Sequence, residues 1–355
     1  MEFGLSNEQS LLQDQTARFL KEKIPLDAVR AVAEGIERDT AIWSELTDIG
    51  LPGIMIKEGL GGLGLGLLDA SIIAECLGYG VTPGPYLSSA IIAPTVLQLS
   101  AKRDDILAKI VTGETRVGIA FNQAIRPNHE SGFKVKNGKL DGKLLFAMDS
   151  EADYYLVADI DKKIYLIDRN SAGFKSTPLS MIEKTRSSAE LKFSKVVGEK
   201  ISDDPDIFDK AWNAGLVGTA ADSLGAAQCA FDQAVSYANQ REQFNRVIAS
   251  FQAVKHMCAE MAAQLEPCRA MVWYAAHAFS DIPEESTMMA SHTKAHLSEV
   301  AQFVTRTATE VHGGMGFTDL IGLHYWFKRC GFNRQVLGSP ELLRERAAIA
   351  QDLVS

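Results

Sequence analysis

The spacing of apolar residues divides the chain into three stretches. From residue 6 to about 113 they recur at three- and four-residue intervals, the period of a helix with one buried face. Leu11, Leu12, Ala17, Phe19 and Leu20 form such a stripe, and Ser6 with Gln9 three positions on predicts a capping box at its start. Trp43, Leu46 and Ile49 repeat the pattern up to a turn at Gly50-Leu-Pro-Gly53. A glycine-rich loop over 59–66, an apolar helix around 68–79, a break at Pro83-Gly-Pro85 and a helix near 87–99 follow.

From 114 to about 200 the period shortens to two. Residues 117–121 are a short apolar run, and 133–141 alternate around Asn137-Gly138, the dipeptide of a tight hairpin turn. Residues 154–158, 164–167 and 189–193 are further strand candidates joined by polar turns. From about 205 helical spacing returns, with Phe251, Val254, Cys258, Met261 and Leu265 on one face and Ser250 placed to cap that helix. The order predicts an α+β architecture. It comprises an N-terminal helical domain (1–113), a small central β domain (114–202) and a C-terminal four-helix-bundle domain (203–355).

Composition narrows the function classes. The 355 residues allow two or three domains with substantial cores. A net charge of −9 argues against a nucleic-acid partner, since phosphate binding needs clustered Lys and Arg. The five cysteines (76, 229, 258, 268 and 330) show no CxxC pair or regular spacing, so neither a zinc site nor a disulfide framework is expected. The N-terminus lacks a basic region followed by an apolar core, and no apolar run reaches the roughly 20 residues of a membrane helix. A cytoplasmic location is the expectation.

Four segments invite chemistry. Gly59-Leu-Gly61-Gly62-Leu-Gly64 matches GxGxxG, but Pro83 and Pro85 break the βαβ unit that a dinucleotide fold needs. His292 and His296 stand at i and i+4, yet no third ligand accompanies them, so packed or surface histidines are the expectation and no metal is assigned. Arg241 and Phe244 sit at a helix break, where an arginine fork can face a pyrophosphate and an aromatic can cover an adenine. The plainer alternative is an arginine meeting the helix dipole and a core phenylalanine. His312-Gly313-Gly314-Met-Gly316-Phe317 interrupts helical sequence with three glycines, at about 1 kcal/mol each in a helix, which suits close backbone approach to a ligand.

Arg241-Glu-Gln-Phe244 running into Phe251-Gln252, together with His312-Gly-Gly-Met-Gly-Phe317, resembles the acyl-CoA dehydrogenase family. These flavoenzymes desaturate coenzyme A thioesters. The resemblance spans nearly the whole chain, through Trp43, Leu46 and Ile49, the 59–66 loop, and Ala152-Asp153-Tyr-Tyr-Leu-Val. It implies that Arg241, Phe244 and Gln252, with Gly313, Gly314 and Gly316, hold the adenine-pyrophosphate half of FAD across a subunit boundary.

Three departures accompany it. Residues 121–128 (Phe-Asn-Gln-Ala-Ile-Arg-Pro-Asn) replace the family's flavin-proximal TEPxAGSD strand. Leu145-Phe146-Ala-Met-Asp stands for the tryptophan strand, WITN, behind the flavin ring. The common catalytic glutamate position is Leu337, and the alternative one falls near Gly215, with no acid. A leucine cannot take the α-proton.

The resemblance therefore implies the non-catalytic, beta-type subunit of an α2β2 acyl-CoA dehydrogenase. The partner subunit would supply the base, the substrate would be an acyl-CoA such as a steroid side-chain thioester, and an electron-transfer flavoprotein would accept electrons. Two alternatives stand beside it. One is a self-sufficient homo-oligomeric enzyme with a relocated acid, such as Asp222 or Glu341 (Asp319 is the third acid nearby). The other is a flavin-free scaffold or CoA-ester binding protein.

Overall fold

The computed structural model describes residues 4–127 and 131–354. Its elements run, in order, α1 (Asn7–Lys23), α2 (Leu26–Ala33), α3 (Asp39–Asp48), α4 (Leu67–Tyr79), α5 (Ala93–Leu99) and α6 (Asp104–Val111). Then come β1 (Val117–Ala120), α7 (Asn122–Ile125), β2 (Gly132–Lys136), β3 (Lys139–Met148), β4 (Tyr154–Ala158) and β5 (Ile164–Asp168). After β6 (Phe174–Pro178), β7 (Ser188–Val197) and β8 (Glu199–Ser202) the chain enters α8 (Pro205–Gln240). A two-residue-stranded hairpin of β9 (Glu242–Gln243) and β10 (Arg246–Val247) leads to α9 (Gln252–Asp281), α10 (Pro283–His312), α11 (His324–Gln335) and α12 (Pro340–Ile349). The helical–β–helical order is the α+β architecture expected from the sequence.

Two compact units divide these elements. One holds residues 31–70 and 83–218; the other holds 1–30, 71–82 and 219–355.

The first unit is built on a sheet ordered β6-β7-β3-β1-β4-β5-β8, with β2 added to β3. Among the described residues only β1 and β4 run parallel, with Val117 opposite Tyr154 and Ala120 opposite Val157. The alternation seen in the sequence produces its core, where Phe133, Leu140, Leu144, Tyr155, Leu191 and Phe193 are buried on one face. The Asn137-Gly138 turn joins β2 to β3 with positive φ at both residues (52° and 72°), as a type I′ turn requires. Beside the sheet, the helix expected near 87–99 begins as a π-helical run at Tyr86–Ile92 and continues as α5. The GxGxxG segment does not follow a strand. Residues 51–53 form a 3₁₀ turn, and Gly64 N–H bonds Ile56 O at 2.8 Å within a closed loop.

In the second unit α1 starts at the expected capping box. Gln9 N donates to Ser6 Oγ at 3.2 Å and Ser6 N to Gln9 Oε1 at 3.0 Å. Its apolar stripe holds only partly, because Leu20 is buried while Leu11 and Ala17 are exposed. The unit's centre is α10, against which α9, α11 and α12 pack. Ala290, Leu297, Ala301, Val304, Ala308 and Val311 bury its face at three- and four-residue intervals. Pro283 starts it at the first turn and Gly313 ends it. Residues 71–79 of α4 meet 219–240 of α8 with no side chain between them, since a Cβ on Gly225 would stand 1.8 Å from Glu75 O.

One boundary differs from expectation. Ser250 does not cap α9: residues 248–250 still turn as 3₁₀, so the extended cap residue is Phe251 and Ser250 Oγ donates to Val247 O at 2.7 Å. Of the predicted α9 face, Met261 and Leu265 are fully buried, while Val254 and Cys258 are half-buried.

Candidate functional site

The ends of α8 and α10 lie side by side in the second unit, and the motifs that carry the resemblance sit there. Arg241 N still bonds Tyr237 O at 2.8 Å, completing the last turn of α8. The chain then reverses, pairing Gln243 with Arg246 and Glu242 with Val247. The two residues between, Phe244 and Asn245, take φ of 52° and 60°. Asparagine accepts that conformation readily; for phenylalanine it costs on the order of 1 kcal/mol. The strained ring is 87% exposed, so no core contact repays it. Arg241 and Gln252 are exposed as well. Beside them the Arg246 guanidinium lies 4.0 Å above the Phe251 ring, and Phe244 meets that ring edge-on at 6.1 Å.

Opposite stands the glycine loop, a 3₁₀ turn over Gly313–Phe317. Gly313 takes φ 58°, ψ −138°, a conformation open to glycine alone. A Cβ built on Gly313 or Gly314 meets nothing within 4 Å, so the space in front of both backbones is free. Gly316 has a different reason: a Cβ there would stand 2.7 Å from Thr309 O, and it serves packing against α10.

His312 joins the two sides. It is buried, and its ring stacks on Tyr237 with centroids 4.5 Å apart at 28°. Nδ1 lies 2.7 Å from Ala308 O, and a carbonyl can only accept, so the proton sits on Nδ1. Burial lowers the pKa of His312 and keeps the ring neutral. The sequence assigns neither contact: the stack joins residues 75 positions apart and leaves no local signal, and Arg246 reaches Phe251 only because the hairpin folds the chain back between them.

This surface fits the adenine-pyrophosphate end of FAD: an exposed guanidinium, an exposed aromatic face and unobstructed backbone. The residues expected near the flavin ring do not fit it. In the first unit Phe121 is buried, 5.0 Å from Phe208, and the chain winds into α7 where the family has a strand. Asn122 Nδ2 donates to Leu145 O at 2.7 Å. Gln123 Nε2 donates to Phe133 O at 3.1 Å and its Oε1 accepts from Phe133 N at 2.9 Å. Their amides are spent on the β domain. Asn128 lies outside the described residues. Leu145 and Phe146 fall in a bulge between β3 and β7, with Phe146 at φ 58° and half exposed.

In the second unit Leu337, at the usual base position, is 3% exposed with φ 58°. Its loop is held by Lys294, whose Nζ donates to Arg334 O and Gly338 O. Two of the nearby acids are paired with arginines. Asp222 is fully buried, 2.9 Å from Arg329 NH1 and 2.6 Å from Asn333 Nδ2. Glu341 sits in the first turn of α12, two-thirds exposed and paired with Arg334 at 3.2 Å. A hydrogen bond from Ser339, the backbone and nearby arginines lower its pKa. Asp319 is exposed and meets His324 at 3.4 Å. Gly215 lies within α8 in the first unit.

His292 Nε2 contacts Gln351 Nε2 at 3.1 Å and His296 is exposed on α10. Among the described residues no three His, Cys, Asp or Glu side chains gather to hold a metal ion. No described helix is long and apolar enough to cross a membrane.

Comparison with known proteins matches two family models, "Acyl-CoA dehydrogenase, N-terminal domain" over residues 6–114 and "Acyl-CoA dehydrogenase, C-terminal domain" over 207–351. Acyl-CoA dehydrogenase IpdE2 of Mycobacterium tuberculosis is 28% identical over 344 residues, covering 95% of both chains. Among solved structures, the Tcur3481–Tcur3483 steroid ACAD superposes with a TM-score of 0.88 at 22% identity, covering 98% of each chain. A chain of the ChsE4–ChsE5 complex of M. tuberculosis superposes at 0.87 and 21% identity, covering 100% of each chain.

Proposed function

The chain belongs to the acyl-CoA dehydrogenase family, and on that footing we propose that it is the beta-type subunit of a heteromeric, FAD-dependent acyl-CoA dehydrogenase. One contrast carries the reading: Arg241, Phe244 and Gly313 are exposed and open, while the base position is a buried leucine and Asp222 and Glu341 are paired with arginines. Arg241 presents its planar fork to the pyrophosphate, Phe244 covers an adenine face, and Gln252 at the start of α9 adds a polar contact. Gly313 and Gly314 let the backbone approach the same group. Bound FAD supplies the hydride acceptor for α,β-desaturation of the thioester. The base, and the contacts to the flavin ring, come from a homologous partner subunit.

Two structural neighbours are named as pairs of chains and one of those as a steroid ACAD, which supports a heterotetramer and a bulky ring-bearing acyl group as substrate. An electron-transfer flavoprotein is the proposed acceptor and the cytoplasm the proposed location.

The test is the FAD content of this chain purified alone and then co-expressed with a homologous catalytic chain. The expected result is a colourless single chain and a yellow complex with one FAD per unlike pair. Arg241→Ala in the complex is expected to weaken FAD binding by about tenfold or more, the value of a lost charged hydrogen bond. Because Arg241 is exposed, the apo complex should melt unchanged. Full FAD in the lone chain would overturn the shared site and favour a homo-oligomeric enzyme.

A further inference from the structure

The outer face of the β sheet carries a charge opposite to that of the chain. Phe133, Gly142, Phe193 and Phe174 lie opposite one another across β2, β3, β7 and β6 and mark the core side. One step along the strands the side chains turn outward. There Lys143, Lys192 and Lys175 stand directly opposite one another on three adjacent strands. All three are exposed.

A second group lies nearer the hairpin turn. Lys136 pairs with Lys139, and a bulge in β7 places Lys195 at φ 55° beside them. With Asn137 and Asp141 these lysines line a recess of about 280 Å³. Two acids share this face, Asp141 opposite Lys134 and Glu190 opposite Thr177, and the lysines outnumber them. Among the described residues none of these lysines is in an ion pair. The chain as a whole has net charge −9.

Like charges set opposite each other in a sheet destabilise it. Neighbouring strands are only about 4.8 Å apart, so the 143–192–175 row concentrates three charges on one short line. Such a row has a cost in the isolated chain that a line of carboxylates would remove. The face holds no arginine, and lysines act as point charges without the planar fork that selects phosphate. A negative chain also repels nucleic acid outside this face.

We propose that this face is a docking surface for an acidic protein segment, one presenting several Asp and Glu carboxylates to the lysine rows. Complementary charge of this kind raises the rate of encounter and fixes its orientation, and through that rate it adds to affinity. The inference is independent of the shared FAD site.

The probe is fluorescently labelled poly-L-glutamate, titrated into the full-length chain at low salt. Binding is expected, and it should weaken steadily as salt shortens the screening length to about 10 Å and below. The triple variant Lys143→Glu, Lys175→Glu, Lys192→Glu should lose about tenfold or more in affinity, since each rim charge acts on encounter. Lys192→Gln, a single exposed change at the centre of the row, provides a second variant whose folding is secure. It should bind severalfold more weakly and melt no lower than the parent. Unchanged affinity in these variants would overturn the proposal. So would displacement of the probe by inorganic phosphate at matched ionic strength, which marks a small-anion site. Binding to phosphatidylserine vesicles but not to poly-glutamate would also overturn it and assign the face to a membrane surface.

Discussion

At the scale of single residues, the structure separates acids that could move a proton from acids that hold the fold. Asp222 looks like a candidate base in the sequence because it is an acid close to the right segments. In the structure it is sealed between Arg329 and Asn333, and both oxygens accept hydrogen bonds. Asp222→Asn leaves Arg329 buried without its counter-charge, and breaking such a pair costs about 3–5 kcal/mol. The expected outcome is a large loss in the denaturant midpoint of the chain. A variant that folds as stably as the parent but loses turnover in the complex would instead make Asp222 the base. Phe244 makes the opposite case. Its sequence neighbours show an aromatic near a helix break; only the structure shows it as a turn residue of a two-residue hairpin, at φ 52° with the ring in solvent and no core packing. By sequence Gly316 belongs with Gly313 and Gly314, but a Cβ there would stand 2.7 Å from Thr309 O, which gives it a packing role as well.

Among the elements, those with strong periodic signals lie where the sequence places them, and those set by tertiary contacts do not. The capping box of α1 and the Asn137-Gly138 hairpin are local, written in residues three or two apart. The strands β6 and β8 were not anticipated, since each is short and gains its place by pairing with β7 or β5. The end of α11 is capped from another element altogether. Lys294 on α10 reaches Arg334 O and Gly338 O, and burial lowers its ammonium to about 7 from the ordinary 10.5. The unfolded chain then holds that proton more tightly than the folded one. Stability contributed at this position is therefore lowest below about pH 7 and rises as pH increases towards about 10.5. Lys294→Met should abolish that rise, seen as urea midpoints that no longer increase between about pH 7 and about pH 10. Parallel pH profiles for parent and variant would rule this out.

For the whole molecule, the shared-site reading makes a thermodynamic distinction between the chain and its complex. A ligand that binds only the native state adds about 2.7 kcal/mol at a hundred times its Kd. FAD should accordingly raise the melting temperature of the co-expressed complex and leave that of the lone chain unmoved. An equal shift in both would place a complete site within this chain. The sequence by itself determined the class of fold, the family and the retained adenine-end motifs, because periodicity, turn dipeptides and clustered glycines are local properties of the chain. It also showed that the residue at the family's usual base position, Leu337, has no group that can take a proton. Tertiary structure alone decided which acids are spent in ion pairs, that His312 and Tyr237 clasp the ends of two helices, and that lysines distant in sequence align across three strands. Each of these depends on which residues meet through space, and side chains such as Lys143 and Lys192, 49 positions apart, become neighbours only when their strands have paired.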